Sequence, residues 1–379
     1  MLRIAVCFVA VLGLIGPRAG AAEGTPRAPF DLLSDRSIPA SSSAHPIRLR
    51  FTSEVSESSP LMPIWRSGAE FPSRTSAGAL EIQILHQASV NSFRNSFRAL
   101  RVGNADLANC ASLVHPATFS LSLVWYMPFI AREEAHINTR VALEVAARFI
   151  RPEFERQAVY FGHQAVSPPV YLVSKRPVRR LADLQGMKVG TIGMQHRIVR
   201  ALGAVPVGIP LAEVYLALQR GVVDAILLPD TSVLAYNIPE VAKYRTKAPL
   251  GAVAIDHCMR RETFDALPAA ARQSLYTYQQ LLAVAESSAL AGGGIDIEAI
   301  YDAAGVETIE LSPQERDHWR RRVQPVVDRW IAEAEARGRP VNELLDALPA
   351  LYDRYDGMSF AETMNEVANN PVKGLVSGF

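Results

Sequence analysis

Ser174 to Gly193 reads SKRPVRRLADLQGMKVGTIG, and Leu202 to Pro229 reads LGAVPVGIPLAEVYLALQRGVVDAILLP. In order, these residues spell a strand, a short polar helix, a Gly turn, a strand at Met187 to Ile192 and a helix at Met194 to Leu202. Gly203 then serves as a C-cap, where a residue without Cβ can take positive φ. A Pro-bounded strand follows, then a helix from Leu211 to Arg220 closed by Gly221, and an apolar strand at Val222 to Leu228. Strands and helices alternating at this spacing build a parallel sheet covered by helices, so the expected fold class is α/β.

The wording of the stretch is narrower than its pattern. Lys175-Arg176-Pro177-Val178 running to Gly186-Met187-Lys188-Val189, then Leu202 to Val207, then Glu213 to Asp224, resemble in order and spacing the solute-binding proteins of tripartite ATP-independent periplasmic (TRAP) transporters, the DctP family. Ser56 to Leu61, Ala99 to Asp106, Met127-Pro128-Phe129 and Ala304 to Pro313 agree, so the resemblance covers residues 47 to 335. It implies a two-lobe periplasmic solute-binding fold with an interlobe cleft and a long helix spanning both lobes, assigned here to Phe264 to Ala291 with a break at Gly292-Gly293-Gly294. It also implies hinge closure on a small-molecule ligand and delivery to TRAP membrane permease subunits, with a sensor or another transporter as the alternative recipient.

Met1-Leu2-Arg3, the apolar run Ile4 to Ile15 and the small-residue site Ala19-Gly20-Ala21 have the form of a cleavable secretion signal over residues 1–21, too short to span a membrane. The expected location is periplasmic, with the mature protein not itself inserted in a membrane. Residues 22–46, rich in Pro, Ser, Ala and charge, read as a disordered leader. Beyond them we expect lobe I at 47–165 and 249–290, lobe II at 166–248 and 291–340, and a C-terminal helical extension at 341–379, of which the tail after Asp356 carries no readable pattern. A helix from His318 to Arg337 is expected to bend at Pro325.

With 39 Lys and Arg against 38 Asp and Glu there is no one-sided field, which excludes nucleic acid as a partner. Cys110 and Cys258 remain after the signal. The resemblance puts both in lobe I, and two buried free thiols are expected rather than a bridge. No G-x-S-x-G, H-E-x-x-H, C-x-x-C or helix-opening G-x-G-x-x-G occurs, and the histidines lack metal-ligand spacing, so neither catalysis, a cofactor nor a metal is expected.

The ligand site departs from the resemblance. Where the family carries an arginine that pairs with a substrate carboxylate, this chain has Gly190; a second family arginine falls at Pro169, and an asparagine at Leu228. A carboxylate buried without a charged partner costs several kcal/mol. The expectation is therefore a neutral, apolar or aromatic ligand lined by Val170, Tyr171, Ile192, Met194, Leu228, Trp125 and Phe129, with Gly190 opening space. The bland reading of each large apolar residue is core packing. The rival is an organic acid held by a relocated cation, His196 or Arg197 at the start of the next helix, against the plainer reading of Arg197 as a surface group. Polar candidates at strand ends are Ser53, Glu54, Ser56, Gln87, Ser112, Asp230, Thr231 and His257, where open α/β sheets bind ligands. Glu54 or Asp230 could meet a cationic group, and a solvated loop carboxylate is the plainer reading of both.

Overall fold

The computed structural model describes residue 30 and residues 46–55, 59, 61–86, 92, 94–191 and 194–379. The expected signal and most of the leader lie outside these residues. Two sheets organise the chain. The first is assembled from β1 (Ile47–Ser53), β2 (Leu80–His86), β3 (Leu107–Cys110), β4 (Val159–Pro169) and, much later, β10 (Ala252–Arg260), in the order β2-β1-β3-β10-β4. Its connections are α1 (Leu61–Thr75), α2 (Ser96–Arg101), α3 (Ala135–Val145) and, beyond a π-helical turn, α4 (Arg151–Glu155). Strand β1 is parallel to β2 and β3, while β10 is antiparallel to both β3 and β4.

The second sheet has the order β11-β9-β5-β8-β6-β7 and holds the stretch from which the sequence was read. In chain order it contains β5 (Tyr171–Ser174), β6 (Lys188–Thr191), α5 (Gln195–Ala201), β7 (Val205–Gly208), α6 (Val214–Gln219), β8 (Ala225–Leu228), α7 (Asp230–Ala235) and β9 (Tyr244–Lys247). Strand alternation divides its side chains between two faces. Leu172, Val189 and Leu227 face a core closed by Ile198 of α5, whereas Val173, Ile226 and Leu228 face a core closed by Val214, Leu218 and Val233.

The chain leaves the first sheet at Pro169 and enters the second at Tyr171, so lobe I continues past the expected Ala165. Pro168 and Pro169 are tolerated because β4 is an edge strand, where a missing N–H breaks no ladder. The return passes through 248–251 and pairs with the outward crossing: Val170 N–H donates to Gly251 O at 2.7 Å and Leu250 N–H to Val170 O at 3.2 Å. Gly251 has φ +104°, and a β-carbon there would stand 2.7 Å from Tyr126 O, so the crossing is tight enough to require glycine. Phe129, which has no such freedom, is nevertheless held at φ +63° with its N–H on Pro249 O.

After β10 come α8 (Arg261–Ala266) and α9 (Ala269–Leu290), separated at Leu267-Pro268 where one helix was expected. Gly292, Gly293 and Gly294 all adopt positive φ after α9 ends. The buried apolar residues of α9 lie in the first-lobe core, and its last turn meets the second lobe where Thr231 Oγ1 donates to Leu290 O at 3.4 Å. Then follow α10 (Ile297–Ala303), β11 (Glu307–Glu310) and α11 (Pro313–Glu335), a continuous helix with Pro325 inside it. Helix α11 is the long helix anchored in both lobes: Trp319, Val323 and Val326 are buried in the second, Trp330 and Ala334 in the first. The chain thus rejoins the first core at Trp330, earlier than the expected end of lobe II at Pro340.

Helices α12 (Val341–Tyr355) and α13 (Phe360–Asn369) pack Leu344, Leu348, Tyr352, Met364 and Val367 into that same core, and the tail adds Val372, Leu375 and Val376. Tyr352 Oη donates to Asn138 Oδ1, while Asn138 Nδ2 donates to Arg132 O and to Ser167 O beside the crossing. The expectation of free thiols is overturned: Cys110 and Cys258, on adjacent strands β3 and β10, form a disulfide with Cα atoms 6.0 Å apart. Strand pairing brings together two cysteines separated by 148 positions, a proximity that spacing alone does not reveal.

Candidate functional site

The carboxyl ends of β1, β2 and β3 in one sheet and of β6, β8 and β9 in the other point to the boundary between lobes. Side chains cross this boundary in both directions. Met194, at the cap of α5 in the second lobe, packs on the first core, while Phe129 and Val253 of the first lobe pack on the second. Val55 and Ile255 are half-buried against the first core nearby in the fold. Tyr171 Oη donates to Glu133 of the first lobe in a short hydrogen bond.

Three polar centres are built around this boundary. The first lies on the face of the second sheet that carries Val173 and Leu228. Arg245 of β9, only 3% exposed, forks onto Asp230 at the start of α7, with Nε to Oδ1 at 2.9 Å and Nη2 to Oδ2 at 2.5 Å. Its Nη1 donates to Glu298 at 2.7 Å, and Tyr301 Oη donates to Asp230 Oδ1 at 2.8 Å. The guanidinium carbon stands 5.0 Å from the Tyr171 ring centroid and 4.9 Å from that of Tyr301, inside cation–π range of both. Burial opposes the charge on Arg245, but the Asp230 and Glu298 carboxylates outweigh it and raise its pKa. Burial raises the Tyr171 and Tyr301 hydroxyls, with Glu133 adding to the first and Asp230 to the second.

The second centre is in the first lobe, beneath α1 and α9. Glu286 Oε1 accepts from Trp65 Nε1 at 2.5 Å and lies 3.1 Å from His257 Nε2; Oε2 lies 3.1 Å from His163 Nε2. His163 Nδ1 is bonded to Gln279 Oε1 at 2.7 Å, and the two imidazoles stack at 4.1 Å. Burial would raise the Glu286 carboxyl, but the two histidines overcome it and hold it down at about 2; His257 is lowered, chiefly by burial. Among the described residues, these three form the group whose ligand atoms converge within 4.8 Å. The rings stack 22° from parallel, and each presents its Nε2 to one oxygen of the Glu286 carboxylate.

The third centre surrounds Asp256 of β10. Its Oδ2 accepts from Ser112 N–H at 2.9 Å and its Oδ1 from Gln164 Nε2 at 2.6 Å, while Gln164 Oε1 accepts from Trp125 Nε1 at 2.6 Å. Burial pushes the Asp256 carboxyl up to about 6 against these hydrogen bonds.

Against this geometry the expected residues divide. Met194 and Phe129 stand at the lobe boundary. Tyr171, Asp230 and Thr231 are there too, but through the contacts just described: Asp230 is committed to Arg245 and Tyr301 rather than open to a cationic ligand. Trp125, Ser112 and His257 are buried in first-lobe networks, and Val170 and Leu228 are buried in the second-lobe cores, so these five are closed off in this conformation. Gly190 opens no space: a β-carbon there would meet Ile226 Cγ2 at 3.1 Å and Ile209 Cδ1 at 3.3 Å. Arg197 lies 3.5 Å from Glu333 of α11, which occupies the cation suggested as a relocated clamp. His196 Nδ1 is 3.2 Å from Thr191 Oγ1. Ser53 Oγ accepts from Val55 N–H, and Glu54 is exposed. Ile192, Gln87 and Ser56 lie outside the described residues.

Sequence reasoning missed Arg245, Tyr301, Glu133 and Glu286. A glutamate inside the apolar run Leu281 to Leu290 was the available signal for the last, since such a charge needs a buried partner. Arg245 offered only its place on one strand face with Lys247.

Residues 52–334 match the family model described as bacterial extracellular solute-binding protein, family 7. The C4-dicarboxylate-binding periplasmic protein DctP of Rhodobacter capsulatus is 25% identical over 301 residues, covering 77% of this chain and 88% of that protein. Among solved structures, a TRAP periplasmic solute-binding protein of Desulfovibrio salexigens superposes with a TM-score of 0.77 at 21% identity, over 83% of this chain and 98% of that one. A marine-metagenome TRAP solute-binding protein specific for aromatic acid ligands, in complex with 3-hydroxybenzoate, gives 0.71 at 19% identity, over 83% and 100%.

Proposed function

The chain belongs to the bacterial extracellular solute-binding proteins of family 7, and from that premise we propose that it is a periplasmic receptor, freed of a signal peptide, that binds a small neutral or aromatic solute between its lobes and delivers it to a TRAP-type permease. The observation that carries the cleft reading is the pair of adjoining crossings at Val170 and Leu250 to Gly251, which ties two separately cored lobes at one edge and leaves their strand ends opposed. Such a joint permits closure about a few backbone torsions, and a ligand touching both lobes favours the closed form.

The choice of a neutral solute rests on charge. Arg245 and Lys247 face Asp230, Glu298 and Glu310, Arg197 faces Glu333, and Gly190 and Pro169 offer no replacement. Half-buried Met194, Phe129, Val253 and Ile255 supply apolar contact, with Ile192 joining them and Gln87 as a polar neighbour on the sequence reading. The relative named for C4-dicarboxylates and the structure holding 3-hydroxybenzoate show which anions belong in the test. The chain from Ala22 onward is screened for thermal stabilisation by neutral aromatics, aromatic acids and succinate. Neutral compounds alone should raise the midpoint, and stabilisation by succinate or other carboxylates alone refutes the assignment. Among the described residues no helix is long and apolar enough to cross a membrane.

A further inference from the structure

Arg245 has the surroundings of a ligand clamp without space for a ligand. Its guanidinium lies within 5.0 Å of both the Tyr171 and the Tyr301 ring centroids, and two nitrogens, Nε and Nη2, are taken by Asp230. A planar guanidinium that meets a carboxylate through two parallel bonds beside aromatic rings is what recognition of an aromatic acid requires. The location is equally specific. Asp230 stands just beyond the carboxyl end of β8, and the flanking Thr231 and Tyr171 both bond across to the first lobe, through Leu290 O and Glu133. Arg245 also lies on the same sheet face as Gly190: it pairs with Val173 on β5, whose neighbour Ile226 on β8 contacts the Gly190 position. Stability alone is a weak reason for the pair, because a buried ion pair often breaks even against an apolar replacement.

We propose that Asp230 is a specificity-determining residue, filling the Arg245 fork with the protein's own carboxylate and thereby closing to anionic solutes a place that would otherwise take an aromatic monocarboxylate. Asp230, Glu298, Glu310 and Glu133 outnumber Arg245, Lys247 and Arg316 there, so an incoming anion meets net repulsion as well as an occupied fork. The proposal rests on the receptor reading above, with Asp230 as the feature that enforces neutrality.

The test is calorimetric titration of the mature chain with benzoate. The wild type should bind it no tighter than about 10 mM. Asp230→Ala should gain roughly 10- to 100-fold, the worth of a charge-assisted bidentate contact. Asp230→Asn keeps the shape and the Tyr301 hydrogen bond, so it carries the test should the alanine variant fail to fold, and it should show a smaller gain. Adding Arg245→Met to either must abolish the gain. The proposal is overturned if folded Asp230 variants bind benzoate no better than the wild type, if the gain survives Arg245→Met, or if the wild type already binds benzoate through Arg245. The first two outcomes leave the receptor reading untouched; wild-type binding of benzoate through Arg245 counts against its choice of a neutral solute, and that reading fails separately if the wild type binds no solute from the neutral panel.

Discussion

Replacing Glu286 by Gln isolates the charge of the buried network from its shape. Glutamine has the volume of the neutral acid, and the Trp65 indole and two imidazoles would stay in place around it. The native carboxyl is held at about 2 against 4.5 for the free group, and a tenfold change in proton affinity is worth about 1.4 kcal/mol, so the charged form is favoured by roughly 3 kcal/mol. The site is wholly buried, so solvent screening does not discount the figure. Glu286→Gln should therefore unfold in urea with stability at pH 7 lower by roughly 3 kcal/mol, within reach of the 3–5 kcal/mol typical of broken buried pairs. Tryptophan fluorescence is a suitable readout because Trp65 touches the mutated group. The pH dependence fixes the cause. A depressed folded pKa contributes stability that is fully present above 4.5 and drains away as pH falls towards 2, so the gap between the proteins should narrow by roughly 1 kcal/mol by pH 3.5. Equal stability at pH 7, or a gap that does not narrow in acid, would refute the assignment of an ionised network.

Asp256 behaves in the opposite sense: its raised pKa means that its contribution is greatest below 3.8 and is lost as pH rises through about 6. A carboxyl-detected NMR titration should find one aspartate taking up its proton near pH 6, and a value near 4 counts against the buried network with Gln164 and Ser112. The disulfide closes a loop of 148 positions, which in the chain-entropy model restrains the unfolded state by about 5 kcal/mol. Reductant should lower the urea midpoint of the wild type to that of a Cys110→Ala/Cys258→Ala variant, and two titratable thiols in the untreated folded protein would contradict the bond. Asn138→Ala removes the bonds to Arg132 O, Ser167 O and Tyr352, and should cost roughly 2–4 kcal/mol, against about 1 for Tyr352→Phe. Comparable losses in the two variants, measured by scanning calorimetry, would mean that the link to Ser167 contributes nothing.

The second sheet was readable because its strands are short and its helix ends are punctuated. Gly186, Gly203 and Gly221 all take positive φ where turns were expected. Harder were the places where a local rule had a tertiary exemption. Lobe I was expected to end at Ala165, but an edge strand lets Pro168 and Pro169 stay in β4. Pro268 divides α8 from α9, a break the apolar periodicity on either side concealed. The tail did hold one legible signal, the Ser359 and Glu362 capping box that starts α13. At the site, that Gly190, Pro169 and Leu228 carry no charge could be read directly. The Arg245–Asp230 pair could not, since the two residues belong to different elements and only the register of β9, β5 and β8 makes them neighbours.

Helix α11 sets a mechanical condition on any opening of the cleft. It is gripped at Trp319 by one lobe and at Trp330 by the other, eleven residues or about 16 Å along its axis, while the two crossings near Gly251 form a separate joint. A rod clamped at both ends beside a pivot cannot follow rotation of the lobes without flexing. The second lobe's grip extends to Val326, and Pro325 removes one hydrogen bond from the rod just before the short span, Val326 to Trp330, that joins the two grips, so compliance is concentrated beside that span. The helix then acts as a leaf spring: whatever shape it has at rest sets the angle to which the empty lobes return, and the solute has to work against that restoring force.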